Sequence, residues 1–262
     1  MGAHRPGAGA ALRVQPLSEA LHAEKLYGRR RGHTLRSRQQ ALLQLALPRL
    51  RVDPGAPWAA FGERERWLEV GFGGGEHARA LAQAHPEIGL VACEVFENGI
   101  CSMLSQLVPE GEEASSAPPP NLRLWDADAR ALIRSLADES CDRLFLLFPD
   151  PWPKARHSRR RFVGPAMLAE AARILRPGAE WRIASDDPTY QAWVAALLAA
   201  QSAFAADAPA AARPPGWPPT RYEAKAVRAG RQPLYWTLRR LEGGHAASGA
   251  AACVGVMGGG AA

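Results

Sequence analysis

Two rhythms of apolar residues run through the middle of this chain: short apolar runs, and longer stretches with helical spacing. Trp67-Leu68-Glu69-Val70 ends at Gly71 and predicts a first strand, with a helix over 76–85. Residues 88–93 predict a second strand and 98–108 a helix; 121–125 predict a third strand and 129–136 a helix. Residues 142–148 are almost continuously apolar, as a central parallel strand should be. Residues 162–175 read as a helix halted by Arg176-Pro177-Gly178, followed by a fifth strand over 180–184 and a helix over 188–200. The remainder, through Leu234-Tyr235-Trp236-Thr237-Leu238, supplies the last, antiparallel strands. Such alternation implies an α/β fold, a mostly parallel sheet with helices on both faces.

Outside this core the pattern fades. Residues 1–26 are polar and rich in Gly and Ala and read as a flexible arm; 27–242 read as one domain. Residues 243–262, almost all Gly and Ala, read as a disordered tail. Ser37 is placed to cap a helix that runs until Pro48, and 109–120 is a Pro/Ser/Glu-rich surface loop.

Composition narrows the function classes. The 262 residues, 47% hydrophobic and 22% charged, suit a single globular domain with a substantial core. The net charge of +6 favours a polyanionic partner but says nothing of fold. Cys93, Cys101, Cys141 and Cys253 form no CxxC pair and show no metal-ligand spacing, so they read as buried thiols, with no metal expected. No apolar run reaches the ~18–20 residues of a membrane span, and the start lacks a signal peptide's apolar region, so a soluble cytoplasmic protein is expected.

In open α/β sheets ligands bind beyond the carboxyl ends of the strands, so the residues that follow each strand carry the chemistry. After the first strand stands Glu69-Val70-Gly71-Phe72-Gly73-Gly74-Gly75-Glu76. A dinucleotide fingerprint starting at Gly71 fails because Glu76 takes the third glycine position; one starting at Gly73, with Gly75 and Ala78, fits the looser form. An acid two residues before the first glycine suits the cationic methionine end of S-adenosylmethionine. Glu94, ending the second strand, can accept ribose hydroxyls from either cofactor or stand as a solvated acid. Asp128, after the third strand, suits an adenine amino group or a helix N-cap.

After the fourth strand comes Phe148-Pro149-Asp150-Pro151-Trp152-Pro153-Lys154-Ala155-Arg156-His157-Ser158-Arg159-Arg160-Arg161. The prolines fix the backbone around Asp150, and Trp152 offers a flat face for a nucleobase. Asp/Asn-Pro-Pro-aromatic loops at this place hold planar nitrogen nucleophiles, and Asp-Pro-Trp is a variant. Basic residues cluster over 29–38, 154–161 and 221–240, the last with Tyr222, Tyr235 and Trp236. Asp186, after the fifth strand, could bind an exocyclic amine or cap the next helix, a cap for which Asp187 competes.

The Asp150 loop with its arginine run, Leu68-Glu69-Val70-Gly71-Phe72-Gly73, Ala184-Ser185-Asp186 with Tyr190, and Thr220-Arg221-Tyr222-Glu223 resemble, in order, the signatures of bacterial tRNA (guanine-N7)-methyltransferases. The likeness spans roughly residues 27–241. It implies a Rossmann-like class I methyltransferase with a mostly parallel seven-stranded sheet, methylating N7 of guanosine 46 in the variable loop of tRNA from S-adenosylmethionine. By the same resemblance Glu69, Gly71, Gly73, Glu94, Asp128 and Asp150 bind the cofactor, and Asp150 is catalytic and faces the guanine. Lys154, Asp186, Thr220, Arg221, Tyr222 and Glu223 contact substrate; Arg156, His157, Ser158, Arg159, Arg160 and Arg161 contact RNA. A monomer or homodimer is expected. Pro153 stands where many members have histidine, Ser185 where threonine is usual, and the 109–120 loop and both ends look longer than typical. Two other readings of the same residues are a small-molecule methyltransferase or NAD-linked dehydrogenase, and a non-catalytic RNA-binding module.

Overall fold

The computed structural model describes residues 28–243; the expected arm, Cys253 and, apart from Gly243, the expected tail lie outside the described residues. Contacts divide the chain into two compact units after Leu136; of the seven strands among the described residues, three lie in the first and four in the second. In the first unit β1 (Glu65–Val70), β2 (Ile88–Cys93) and β3 (Leu122–Trp125) run parallel in the order β3-β2-β1. β2 is buried along its whole length, which is why its sequence shows no polar alternation. Gly89 belongs there because a Cβ would lie 2.3 Å from the Phe61 ring. The helices Glu76–Ala84, Glu97–Leu107 and Ala129–Ser135 bury Leu81, Met103 with Leu104, and Leu132 with Ile133.

The helical segment after Arg36 departs from expectation at both ends. Ser37 is its first residue and Arg36 occupies the cap, while Gln39 Oε1 accepts from the Arg36 N–H. Nor does Pro48 end it: Leu42–Ala46 is a wider π-type segment, and Leu47–Leu50 continues the helix. The Leu47 N–H reaches back five residues to the Leu42 carbonyl, and Pro48, with no N–H to satisfy, falls in the first turn of the new segment.

In the second unit β4 (Cys141–Leu147), β5 (Leu175–Ser185), β6 (Phe204–Ala206) and β7 (Leu234–Arg240) are ordered β4-β5-β7-β6. β4 and β5 are parallel; β7 is antiparallel to both β5 and β6. The helix before β5 begins at Pro165, with Gly164 as its cap, so the expected start at 162 is corrected: Phe162 and Val163 are buried ahead of it. Arg176-Pro177-Gly178 does stop that helix, yet β5 already starts at Leu175. The register slips between Cys141 and Arg143 of β4, whose partners are Leu175 and Glu180, and Gly178 takes a left-handed φ of 80° within the slip. No helix was expected over Arg221–Arg228; the structure has one there, and it buries only Ala226. No helix among the described residues is long and apolar enough to cross a membrane.

Candidate active site

The glycine turn after β1 is a hydrogen-bonded knot. The Gly71 and Phe72 N–H groups both donate to the Cys93 carbonyl at the end of β2, and Gly75 N–H donates to the Phe72 carbonyl. Glu94 accepts from Gly73 N–H at 2.8 Å through one oxygen and from Val95 and Phe96 N–H through the other. Gly71, Gly73 and Gly75 have φ of 76°, 59° and 87°, a region that side chains rarely adopt. Gly75 is further constrained by Met103, whose Sδ would lie 2.2 Å from an added Cβ. At Gly71 an added Cβ would meet nothing within 4 Å, so the turn faces open space where a ligand can approach the backbone.

Beneath this turn Glu69 is only 2% exposed, and its carboxylate lies 2.9 Å from Nδ1 of His77, itself buried in the first turn of the Glu76–Ala84 helix. A buried acid and a second carboxylate at Glu94 make this turn unsuited to a pyrophosphate, and three of its N–H groups are already spent on Cys93 and Glu94. The same charges suit a cationic ligand. That geometry weighs against the dinucleotide reading and fits S-adenosylmethionine.

Asp128 caps the Ala129–Ser135 helix by accepting from Arg130 N–H, and its carboxylate also pairs with the Arg130 guanidinium at 3.3 Å. Three residues upstream, the Trp125 carbonyl at the end of β3 accepts from the Glu94 N–H. The approach to Asp128 is fixed by Arg51, whose bidentate pair with Asp126 has two contacts of 2.7 Å. In the first unit, then, Glu69, Gly71, Gly73, Glu94 and Asp128 gather at the carboxyl ends of three neighbouring strands.

In the second unit Asp150 is exposed on a loop whose shape is fixed from both sides. Upstream, Phe148 donates its N–H to the Ala184 carbonyl and packs on Leu147, Ala184, Trp217 and Tyr235. Downstream, the Arg161 guanidinium donates to the Pro151 carbonyl at 3.0 Å and the Trp152 carbonyl at 3.1 Å. Phe148 and Trp152 hold φ of 52° and 43°, conformations that cost a non-glycine residue on the order of 1–3 kcal/mol each. Trp152 also directly precedes Pro153, which narrows its backbone choices further.

The 3-10 turn Ala155–Arg160 follows, with Lys154, Arg156 and Arg159 exposed. Arg160 lies over the Trp152 ring at 4.9 Å and His157 meets its edge at 5.9 Å, so one face of the expected base platform is already covered by a cation. Partial burial, then the charges of Arg160, Arg156, Lys154 and Arg159, hold the His157 imidazole below its ordinary pKa. Arg161, expected among the RNA-contacting residues, is 7% exposed, and its guanidinium donates to loop carbonyls.

Asp187, not Asp186, caps the Pro188–Ala199 helix by accepting from Tyr190 N–H. Asp186 is thereby released, and its carboxylate pairs with Arg231 at 2.6 Å. Thr220 caps the Arg221–Arg228 helix by accepting from Glu223 N–H, and Glu223 pairs with Arg213. Arg221 lies over the ring of Tyr222, which is 39% exposed. Sequence reasoning missed His77, Arg51 and Arg213, and did not link Arg231 of the third basic cluster to Asp186. Each pairs with an acid that was singled out or stands beside one, but the partners lie 8, 75, 10 and 45 positions away and no local pattern joins them. The capping pattern Thr220-x-x-Glu223 was the one local signal available for the last helix.

A methyltransferase family model matches residues 63–235. The chain is 63% identical over 218 residues to the tRNA (guanine-N(7)-)-methyltransferase of Granulibacter bethesdensis, covering 83% of this chain and 95% of that protein. With the enzyme of the same name from Rhodospirillum rubrum it shares 45% over 234 residues, 82% of this chain and 88% of that one. Among solved structures an antibiotic-related methyltransferase superposes with a TM-score of 0.52 at 11% identity, covering 72% of this chain and 95% of that chain. The 16S rRNA (adenine(1408)-N(1))-methyltransferase W203A mutant from Catenulisporales acidiphilia, with cosubstrate SAM, superposes at 0.50 with 19% identity, covering 73% and 93%. These two share the fold.

Proposed function

This chain belongs to the tRNA (guanine-N7)-methyltransferase family, and from that premise we propose that it methylates N7 of a guanine in tRNA, guanosine 46 of the variable loop, with S-adenosylmethionine as donor. The observation that carries the reading is the 63% identity across 95% of the Granulibacter enzyme, in a chain whose strand-end acids and Asp150 loop are all present.

S-adenosylmethionine, when bound, supplies a methyl group on a positively charged sulfur. Glu69 and the open side of Gly71 would hold its methionine end, Glu94 its ribose and Asp128 its adenine amino group. Guanine N7 carries a lone pair and no proton, so no base is needed to activate it. The ring becomes cationic as the bond forms, and the protein's task is orientation and a nearby negative charge. Asp150 does both: its carboxylate accepts from the guanine N1–H and exocyclic amine. Lys154, Arg156, Arg159 and Arg160 hold phosphates, and Asp186 with the Thr220–Glu223 segment holds the target nucleoside.

Labelled methyl donor incubated with bulk tRNA lacking the modification should place label in N7-methylguanosine, and cleavage at the modified base should map it to position 46. Binding without transfer would instead indicate an RNA-binding module, and label in another base a different RNA methyltransferase. Asp150→Asn and Asp150→Ala should lose turnover while remaining folded; a near-normal single-turnover rate in Asp150→Ala sinks its assignment.

A further inference from the structure

Within the arginine run, one member is built differently from the rest. Lys154, Arg156 and Arg159 are exposed, and Arg160 lies on the outer face of Trp152, but Arg161 is 7% exposed and turned inward. Its Nε donates to the Pro151 carbonyl and its Nη2 to the Trp152 carbonyl. Those two carbonyls belong to the peptide planes on either side of Trp152, so a single planar guanidinium fixes both backbone angles of that residue. Trp152 is where fixing is required, at φ 43° and ahead of a proline. Pro151 has its own φ locked by its ring, so holding the plane that follows it also limits the direction of Asp150, one residue upstream.

The guanidinium is itself anchored. It stacks at 4.9 Å on the ring of Trp193, in the Pro188–Ala199 helix, and Trp193 Nε1–H donates to the Val163 carbonyl at 2.6 Å. Val163 N–H in turn donates to the hydroxyl of Tyr190, a fully buried residue of that helix. The chain of contacts runs from buried Tyr190 of the Pro188–Ala199 helix, through Trp193 and Arg161, to the peptides on either side of Trp152. A lysine cannot replace it, because a single ammonium lacks the planar fork that reaches two carbonyls while stacking on an indole.

We propose that Arg161, seated on Trp193, is a positioning residue of the methyl transfer: it sets the conformation of the Asp150 loop and contacts no RNA phosphate. The proposal rests on the functional reading above. It separates two jobs within one basic run, phosphate binding by the outer cations and loop bracing by the inner one.

The test uses the full chain with unmodified tRNA and S-adenosylmethionine, comparing wild type, Arg161→Lys, Trp193→Leu and Arg160→Ala. Three readouts are taken: single-turnover rate at saturating tRNA, tRNA affinity against salt, and thermal unfolding. Arg161→Lys should lose rate by about 100-fold if Asp150 shifts by on the order of 1 Å. Its log–log salt slope for tRNA binding should match wild type, because no phosphate contact is lost. Trp193→Leu, which touches neither loop carbonyl nor substrate, should fall in the same direction by a smaller factor with the same unchanged slope. Arg160→Ala should instead reduce the slope in magnitude by about 1. A wild-type rate in Arg161→Lys, or a reduced slope with full rate at saturation, overturns the brace. Should Arg161→Lys fail to fold, Trp193→Leu decides: a lowered rate with unchanged slope supports the brace, and a wild-type rate overturns it. If wild type itself places no methyl on N7, the functional reading has failed instead.

Discussion

Glu69 and His77 form a buried contact below the glycine turn, both about 3% exposed at the side chain. Removing the imidazole in His77→Ala leaves a buried carboxylate without that partner, which should cost on the order of 1–3 kcal/mol of stability. S-adenosylmethionine affinity should fall with it, and calorimetric titration beside thermal unfolding measures both; unchanged affinity would mean that Glu69 needs no such orientation. His157 makes a pH prediction. Its pKa is held below the ordinary value of 6.5, by burial first and then by its cationic neighbours. A tRNA phosphate docking on those cations would oppose the second effect and raise the pKa, so binding should take up a proton around and below pH 6.5 and strengthen as pH falls through that window. Titrations in buffers of differing ionisation enthalpy should detect the uptake at pH 6 and not at pH 8, and His157→Gln should abolish it. The acids Glu69, Glu94, Asp128 and Asp150 were legible in the sequence because strand ends in an α/β sheet are where ligands bind. What holds Glu69 and Asp186 was not legible, since His77 and Arg231 reach them across folded distance.

Among the elements, the Glu97–Leu107 helix shapes the glycine turn without approaching a ligand itself. A Cβ on Gly99 would lie 2.3 Å from the Gly73 carbonyl oxygen. Gly99→Ala should raise helix propensity by about 1 kcal/mol and nonetheless weaken S-adenosylmethionine binding, because the turn must move away. Equilibrium dialysis with labelled donor checks this, and wild-type affinity would show that the turn yields without consequence. Element type was readable wherever burial imposed a rhythm: β2 was expected over 88–93 and is found at Ile88–Cys93. It was unreadable where burial is slight, as in Arg221–Arg228, and where a strand already runs through a helix-stop signal, as β5 does through Arg176-Pro177-Gly178.

For the molecule as a whole, the charge of +6 and its exposed arginines make tRNA binding a salt-sensitive equilibrium. Affinity measured from low to physiological salt should fall steeply and linearly on log–log axes; a flat response would remove phosphate contacts from the account. The fold class was legible from strand–helix alternation alone, whereas the order of the last strands was not, because nothing in a linear pattern says that the final strand inserts itself. β7 lies between β5 and β6, and among the described residues it is the sole ladder partner of β6. During synthesis on a ribosome, therefore, the second unit cannot close strand by strand as it emerges. β5 waits with one open edge while some fifty residues are translated, and β6 appears with nothing to join. A message truncated before Leu234 would thus encode a chain with a bare, adhesive sheet margin rather than a slightly shorter enzyme.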